Sequence, residues 1–126
     1  DLTDTLVPKA IGKQLLNETD NNIYKTLRHS TKNENIWIRR IGIVSLMYLA
    51  KEARKEVVFK VIDDNFFDTF HLTQKANGWM LRELYKTCPK ETLEYLKQKN
   101  KKQKLPGILK SYATEKMTKA EKLELN

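Results

Sequence analysis

Residues 74–86 read QKANGWMLRELYK, and four of them, Lys75, Trp79, Arg82 and Lys86, fall at offsets of four, seven and eleven. Such offsets trace one face of an α-helix. Leu72, Ala76, Met80, Leu81, Leu84, Tyr85 and Cys88 cover most of the remaining circumference. The segment therefore reads as a helix enclosed on most sides, whose one polar face is basic and carries a tryptophan. A helix apolar over so much of its surface needs neighbours on several sides.

Outward from this helix, apolar residues repeat at three and four along the whole chain, with only 4 Gly and 3 Pro as punctuation and no useful strand-like alternation. The reading is all-α, with helices near 4–16, 20–30, 35–51, 53–63, 68–87, 90–100 and 105–116. Short connections make successive helices antiparallel neighbours. The longer, more apolar helices starting at 35 and 68 are each followed by a shorter, more polar one, which suggests a helical-repeat solenoid of about three antiparallel pairs. With no visible sequence period, a plain bundle is the alternative. Residues 113–126, rich in Lys and Glu, suggest a frayed helix running into a polar tail over 117–126.

The 126 residues suit one domain, and 40 % hydrophobic content suffices for a core. Lys and Arg outnumber Asp and Glu by 24 to 16, a formal charge of +8 that favours a polyanionic partner. The single cysteine, Cys88, excludes an internal disulfide and sits on the apolar arc, as a small buried hydrophobe in a reducing compartment does. The longest apolar run, 41–50, is far short of the roughly 20 residues a membrane span needs. No secretory leader is visible, and the expected location is cytoplasmic, associated with the nucleoid. The chain begins at Asp1 rather than Met, so something upstream is expected in the native protein.

Candidate chemistry is concentrated in few places. The helix starting NIWIRR places Arg39 and Arg40 in its first turns, ahead of ten uncharged residues, and should be the most buried one. Cations there oppose the helix dipole, so each guanidinium needs a fixed partner, either a carboxylate or a phosphate. Trp79 reads equally as core or as a platform for a base or sugar among cations. Asp4 is by default the N-cap of the first helix, with Pro8 in its first turn. Asp63, Asp64 and Asp68 lack the order of a calcium loop, and His29 and His71 lack partners at zinc-ligand spacing. The scattered Gly12, Gly42, Gly78 and Gly107 form no phosphate loop, which argues against nucleotide-dependent chemistry. Lys97, Lys99, Lys101, Lys102 and Lys104 read as a solvated run.

Three segments, DLTDTLVP at 1–8, NIWIRRIGIVS at 35–45 and QKANGWMLRELYKTCP at 74–89, resemble the DNA alkylation repair family, the AlkD-like DNA glycosylases built from HEAT-like repeats. The resemblance runs from Asp1 to about Leu96. It implies a solenoid of antiparallel pairs in a right-handed superhelix, with 1–116 the C-terminal part of the glycosylase domain. By matching position it makes Asp4 the catalytic carboxylate and Trp79 one of two tryptophans at the lesion. Arg40 and Arg82 match residues facing DNA, and Lys75, Lys86 and Arg39 join them as phosphate contacts. The implied activity is excision of cationic N3- or N7-alkylated purines from double-stranded DNA, without cofactor or metal, by a monomer. The family's other tryptophan falls just before Asp1, and Asn77 replaces the usual apolar residue before Gly78. The rival readings are a non-catalytic relative that binds branched or distorted DNA, and a protein-interaction module for an acidic partner. Asp4 separates the first rival from the enzyme, because a carboxylate facing phosphates serves only catalysis.

Overall fold

The computed structural model describes residues 6–126. The described residues form helices and no strand: α1 (Leu6–Leu15), α2 (Asp20–Thr31), α3 (Ile36–Val44), α4 (Met47–Lys51), α5 (Lys55–Asp63), α6 (His71–Thr87), α7 (Pro89–Lys102), α8 (Gly107–Ala113) and α9 (Lys119–Leu123). They stand in two rows. In one, α1 packs on α3 and α4, those on α6, and α6 on α8. In the other, α2 packs on α5, and Phe59 of α5 stacks on Tyr95 of α7 with ring centroids 4.1 Å apart. Contacts of α2 with α3, α5 with α4 and α6, and α6 with α7 close the rows on each other. This is the expected all-α repeat solenoid.

Local chemistry sets the helix ends. Thr19 caps α2 by accepting from the Asn22 N–H, and Asn35 caps α3 by accepting from the Trp37 and Ile38 N–H groups. Pro89 opens α7 at a position where its missing N–H is harmless. Two boundaries differ from expectation. The helix expected over 35–51 breaks into α3 and α4 after Val44, where the Ser45 hydroxyl donates to the Ile41 carbonyl four residues back. A serine bonded this way competes with the helix ladder. The helix expected at 53–63 starts at Lys55, because Ala53 adopts φ 59. The Arg54 N–H reaches back to the Leu49 carbonyl and the Ala53 N–H to that of Ala50, a Schellman closure with alanine where glycine is usual.

The core runs through both rows, with Ile23, Ile43, Leu46, Leu49, Ile62, Phe66, Met80, Leu81, Leu84, Leu96 and Leu109 fully buried. Most of 41–50 is buried as expected, yet Trp37 at the start of α3 is 57 % exposed. Two side-chain amides stitch the rows together. Asn65, between α5 and α6, donates to the Thr31 carbonyl at the end of α2. Asn77 of α6 donates to the Asn65 carbonyl at 2.9 Å. This gives the polar residue preceding Gly78 a structural reason: fully buried, it ties α6 to the α5–α6 link.

The C-terminal segment also departs from the sequence reading. Where its composition suggests fraying, Thr118 and Glu121 form a capping box on α9, and Leu125 is buried. Tyr85 of α6 donates to Glu121 at 2.7 Å, and the Asn100 side chain donates to the Leu125 carbonyl at 3.0 Å. A few placed contacts are enough to dock a segment whose composition is mostly charged.

Candidate nucleic-acid interface

The face of α6 quoted at the outset turns toward α1 and α4 at Trp79. The indole is half-buried and forms one wall of a cavity of about 240 Å³, together with Pro8, Lys9, Val44, Met47, Tyr48 and Lys51. Val44, Met47 and Lys51 follow Arg40 at offsets of four, seven and eleven, the spacing seen in the α6 stripe. Trp79 of the one stripe and Val44, Met47 and Lys51 of the other line the cavity, and α1 supplies a third side through Pro8 and Lys9. Close backbone approach makes this possible. A Cβ on Gly12 would lie 2.8 Å from the Ser45 carbonyl oxygen, and one on Gly78 would lie 2.7 Å from that of Leu109. Glycine at these two positions lets α1 and α8 approach so closely.

The rim is cationic. Lys13 and Lys51 place their ammonium groups 5.8 and 5.7 Å from the centre of the Tyr48 ring. Among the described residues Lys9, Lys13 and Lys51 have no carboxylate partner, so their charge is available to an anion from outside. An aromatic wall with unpaired lysines at its edge can stack on a base or sugar while gripping flanking phosphates. Lys9, Tyr48 and Lys51 were not singled out by the sequence reading. The stripe of Arg40, Val44 and Met47, carried one turn further, is the signal that finds Lys51.

The other expected site residues are placed differently. Lys75 is exposed and lies 5.7 Å from the centre of the Tyr112 ring of α8. Arg82 pairs with Glu115 at 2.9 Å and approaches Glu83 at 3.6 Å, and Lys86 pairs with the same Glu83 at 3.0 Å. Glu83 is buried, so the lower part of the basic stripe carries its own counter-charge. Arg39 donates to the Asn33 carbonyl at 3.0 Å and pairs with Asp68 at 2.5 Å, with Phe70 beneath its guanidinium. Arg40 is 4 % exposed and donates to the Leu72 carbonyl at 3.1 Å. Arg39 thus meets a carboxylate, one of the two partners its spacing allowed, and Arg40 meets a backbone carbonyl, which spacing did not suggest. Asp4 lies outside the described residues. No cluster of His, Cys, Asp or Glu suited to a metal occurs among the described residues, and no helix among them is long and apolar enough to cross a membrane.

A model of the family described as DNA alkylation repair enzyme matches residues 1–117. The chain belongs to that family. Membership gives it a role in DNA repair and DNA as a partner. The match runs through α8 and ends at Met117, short of the capping box of α9. Comparison with curated proteins finds no match.

Proposed function

We propose that this protein is a DNA glycosylase that excises cationic N3- or N7-alkylated purines, such as 3-methyladenine and 7-methylguanine, from double-stranded DNA by hydrolysing the N-glycosidic bond. The observation that carries the reading is the half-buried Trp79 on the wall of a lysine-rimmed cavity, in a chain that belongs to a DNA alkylation repair family. Pro8 on the same cavity follows Asp4 by four residues in the sequence.

An alkylated purine leaves as a neutral base, so a general acid is dispensable. The barrier lies in the oxocarbenium character that grows on the deoxyribose. A carboxylate at Asp4 supplies opposite charge there and orients the attacking water. The electron-rich face of Trp79 stabilises the same developing charge through cation–π attraction and packing. Lys9, Lys13, Lys51 and Lys75 hold phosphates on either side and fix the register of the duplex. Arg82 and Lys86 contribute to the extent that phosphates displace Glu115 and Glu83. Arg39 and Arg40 hold the helix starts of α3 and α6 together and act on DNA through that framework.

The test is release of 7-methylguanine from methylated duplex by the full-length protein and by its Asp4→Asn variant, at low salt so that binding does not limit the rate. Release that Asp4→Asn abolishes while duplex binding persists is the expected result. No release from a folded, DNA-binding protein overturns the glycosylase reading and leaves Trp79 and its lysines as a binding surface for distorted DNA.

A further inference from the structure

We propose that Lys25, Arg28 and His29 of α2, with Lys32 at its C-cap, form a second phosphate-binding surface, on the row of helices away from Trp79, that engages a segment of DNA backbone other than the one at the cavity. Its identification of the polyanion as DNA rests on the family's role in DNA repair; the surface itself rests on geometry. These four side chains alone line an open depression of about 460 Å³. Ile23, Leu27 and Thr31 point the opposite face of α2 into the core and are at most 2 % exposed, which fixes the basic ridge outward.

Pairing separates Arg28 of this ridge from the other arginines. Arg39, Arg40, Arg54 and Arg82 each meet a carboxylate or a backbone carbonyl. Arg28 is the exception among the described residues: it touches only the Tyr24 ring, 6.0 Å from its centre. Lys25 and Lys32 have no carboxylate partner among the described residues either. Of the acids on neighbouring elements, Asp64 is engaged by Tyr24, Asp63 by Tyr95 and Lys99, and Asp20 by Arg54, while Glu34, two residues beyond Lys32, forms no ion pair with the ridge. Lys25 to Lys32 spans about 10 Å of helix, and a DNA strand places one phosphate per roughly 3.4 Å of axis, so the ridge can follow two or three phosphates.

The apolar content of the surface decides among polyanions. A helix that lies on an anionic membrane must insert apolar side chains, and those of α2 are committed to the core. An amphipathic acidic peptide needs an apolar groove for its anchors, and this depression is lined by three cationic side chains and a histidine. A phosphate backbone needs neither.

The experiment measures binding of the protein to an unmodified DNA duplex over a range of salt concentrations. One variant carries Lys25→Gln, Arg28→Gln and Lys32→Gln; a control carries Lys101→Gln, Lys102→Gln and Lys104→Gln, which removes the same charge from another exposed stretch. All six residues are exposed, and a thermal melt verifies the fold of each variant. Each phosphate contact contributes about 0.9 to the slope of log K against log salt. The α2 variant should lose roughly 2 to 3 from that slope, and the control less than 1. Equal losses, or no loss from the α2 variant, overturn the proposal, as does a binding defect seen only with anionic vesicles, RNA or an acidic peptide. Release of 7-methylguanine at saturating duplex should be unchanged in the α2 variant, while Asp4→Asn should leave the salt slope unchanged. The two proposals therefore fail separately.

Discussion

Gly78→Ala is the sharpest test of the packing that presents Trp79. On an isolated helix this change stabilises by about 0.8–1.0 kcal/mol, because alanine lowers the backbone entropy lost on folding. In this structure the added methyl meets the Leu109 carbonyl oxygen at 2.7 Å, the Tyr112 Cβ at 2.8 Å and the Leu109 Cα at 3.2 Å. Two of these atoms are backbone and the third is fixed to it, so no rotamer change relieves the clash. Helix α8 must withdraw by about 0.7 Å to restore an ordinary contact, and a gap of that size along the surrounding contacts forfeits a quarter to a half of their attraction. Overpacking of this kind costs about 1–3 kcal/mol, and α6 with α8 is the most extensive helix pairing in the chain. The clash outweighs the propensity gain. A net loss of up to about 2 kcal/mol remains, which lowers Tm by up to roughly 8 °C for a chain of this size. Gly107→Ala is the control, since nothing lies within 4 Å of its added methyl; it should leave Tm unchanged or raise it slightly. Thermal melts by circular dichroism read both. If Gly78→Ala melts as high as Gly107→Ala, the close approach of α8 is wrong, and with it the account of why glycine precedes Trp79.

Trp79→Ala should lower 7-methylguanine release by about 10- to 100-fold, the value of one aromatic stack of about 1–3 kcal/mol, whereas Trp79→Phe retains most of it; equal rates for the two variants would remove the indole face from the mechanism. Ala53→Gly relieves the left-handed strain at φ 59 and should stabilise by about 1 kcal/mol, read as a higher urea midpoint with unchanged slope. The docking of α9 depends on pH at both ends. The Thr118 backbone N–H, followed by the Tyr85 hydroxyl, holds the Glu121 carboxyl below its ordinary range. The lowered folded-state value means that this stabilisation is present above the ordinary carboxylate pKa and is lost as pH falls through the folded one. Tyr85 is raised, first by its hydrogen bond to Glu121 and then by burial, so its contribution is complete below the ordinary phenol range and is lost as pH rises through the raised value. Amide exchange at 119–125 should accelerate at both extremes, and in a Tyr85→Phe variant the alkaline acceleration should weaken.

The sequence makes the helices legible because an apolar period of three and four survives in every segment, and Trp79 legible because it breaks the pattern with cations around it. Helix ends are less so. The turn after α4 needs a left-handed residue, and Ala53 supplies it without the glycine that would advertise it. The break after Val44 depends on one hydroxyl turning back to Ile41 rather than outward, a choice that spacing does not encode. The partners of Arg39 and Arg40 are hidden for a different reason. Periodicity assigns a residue to a face of its own helix, but Asp68 and the Leu72 carbonyl come from some thirty residues away. The fate of the last ten residues likewise turns on Tyr85 and Asn100, which belong to other helices.

The division of labour between the two kinds of cation follows from their chemistry. A guanidinium is weakly hydrated and presents a planar fork that fits a carboxylate or a pair of carbonyls, so it survives partial burial. Arg54 uses this to hold the Leu16 and Glu18 carbonyls and Asp20, pinning the start of α5 to the α1–α2 link. An ammonium is a strongly hydrated point charge that gains little from a buried contact and keeps its charge in water. Arginine in this chain therefore serves mainly as an internal fastener, while the lysines at the cavity rim and on α2 leave their charge exposed to an outside anion. A net charge of +8 spread over paired residues would generate little local field. The unpaired side chains at the cavity rim and on α2 would give DNA two such surfaces to meet. Arg28, exposed and unpaired by protein acids, stands with the lysines, which is the reason α2 and not merely the total charge is expected to set part of the salt dependence.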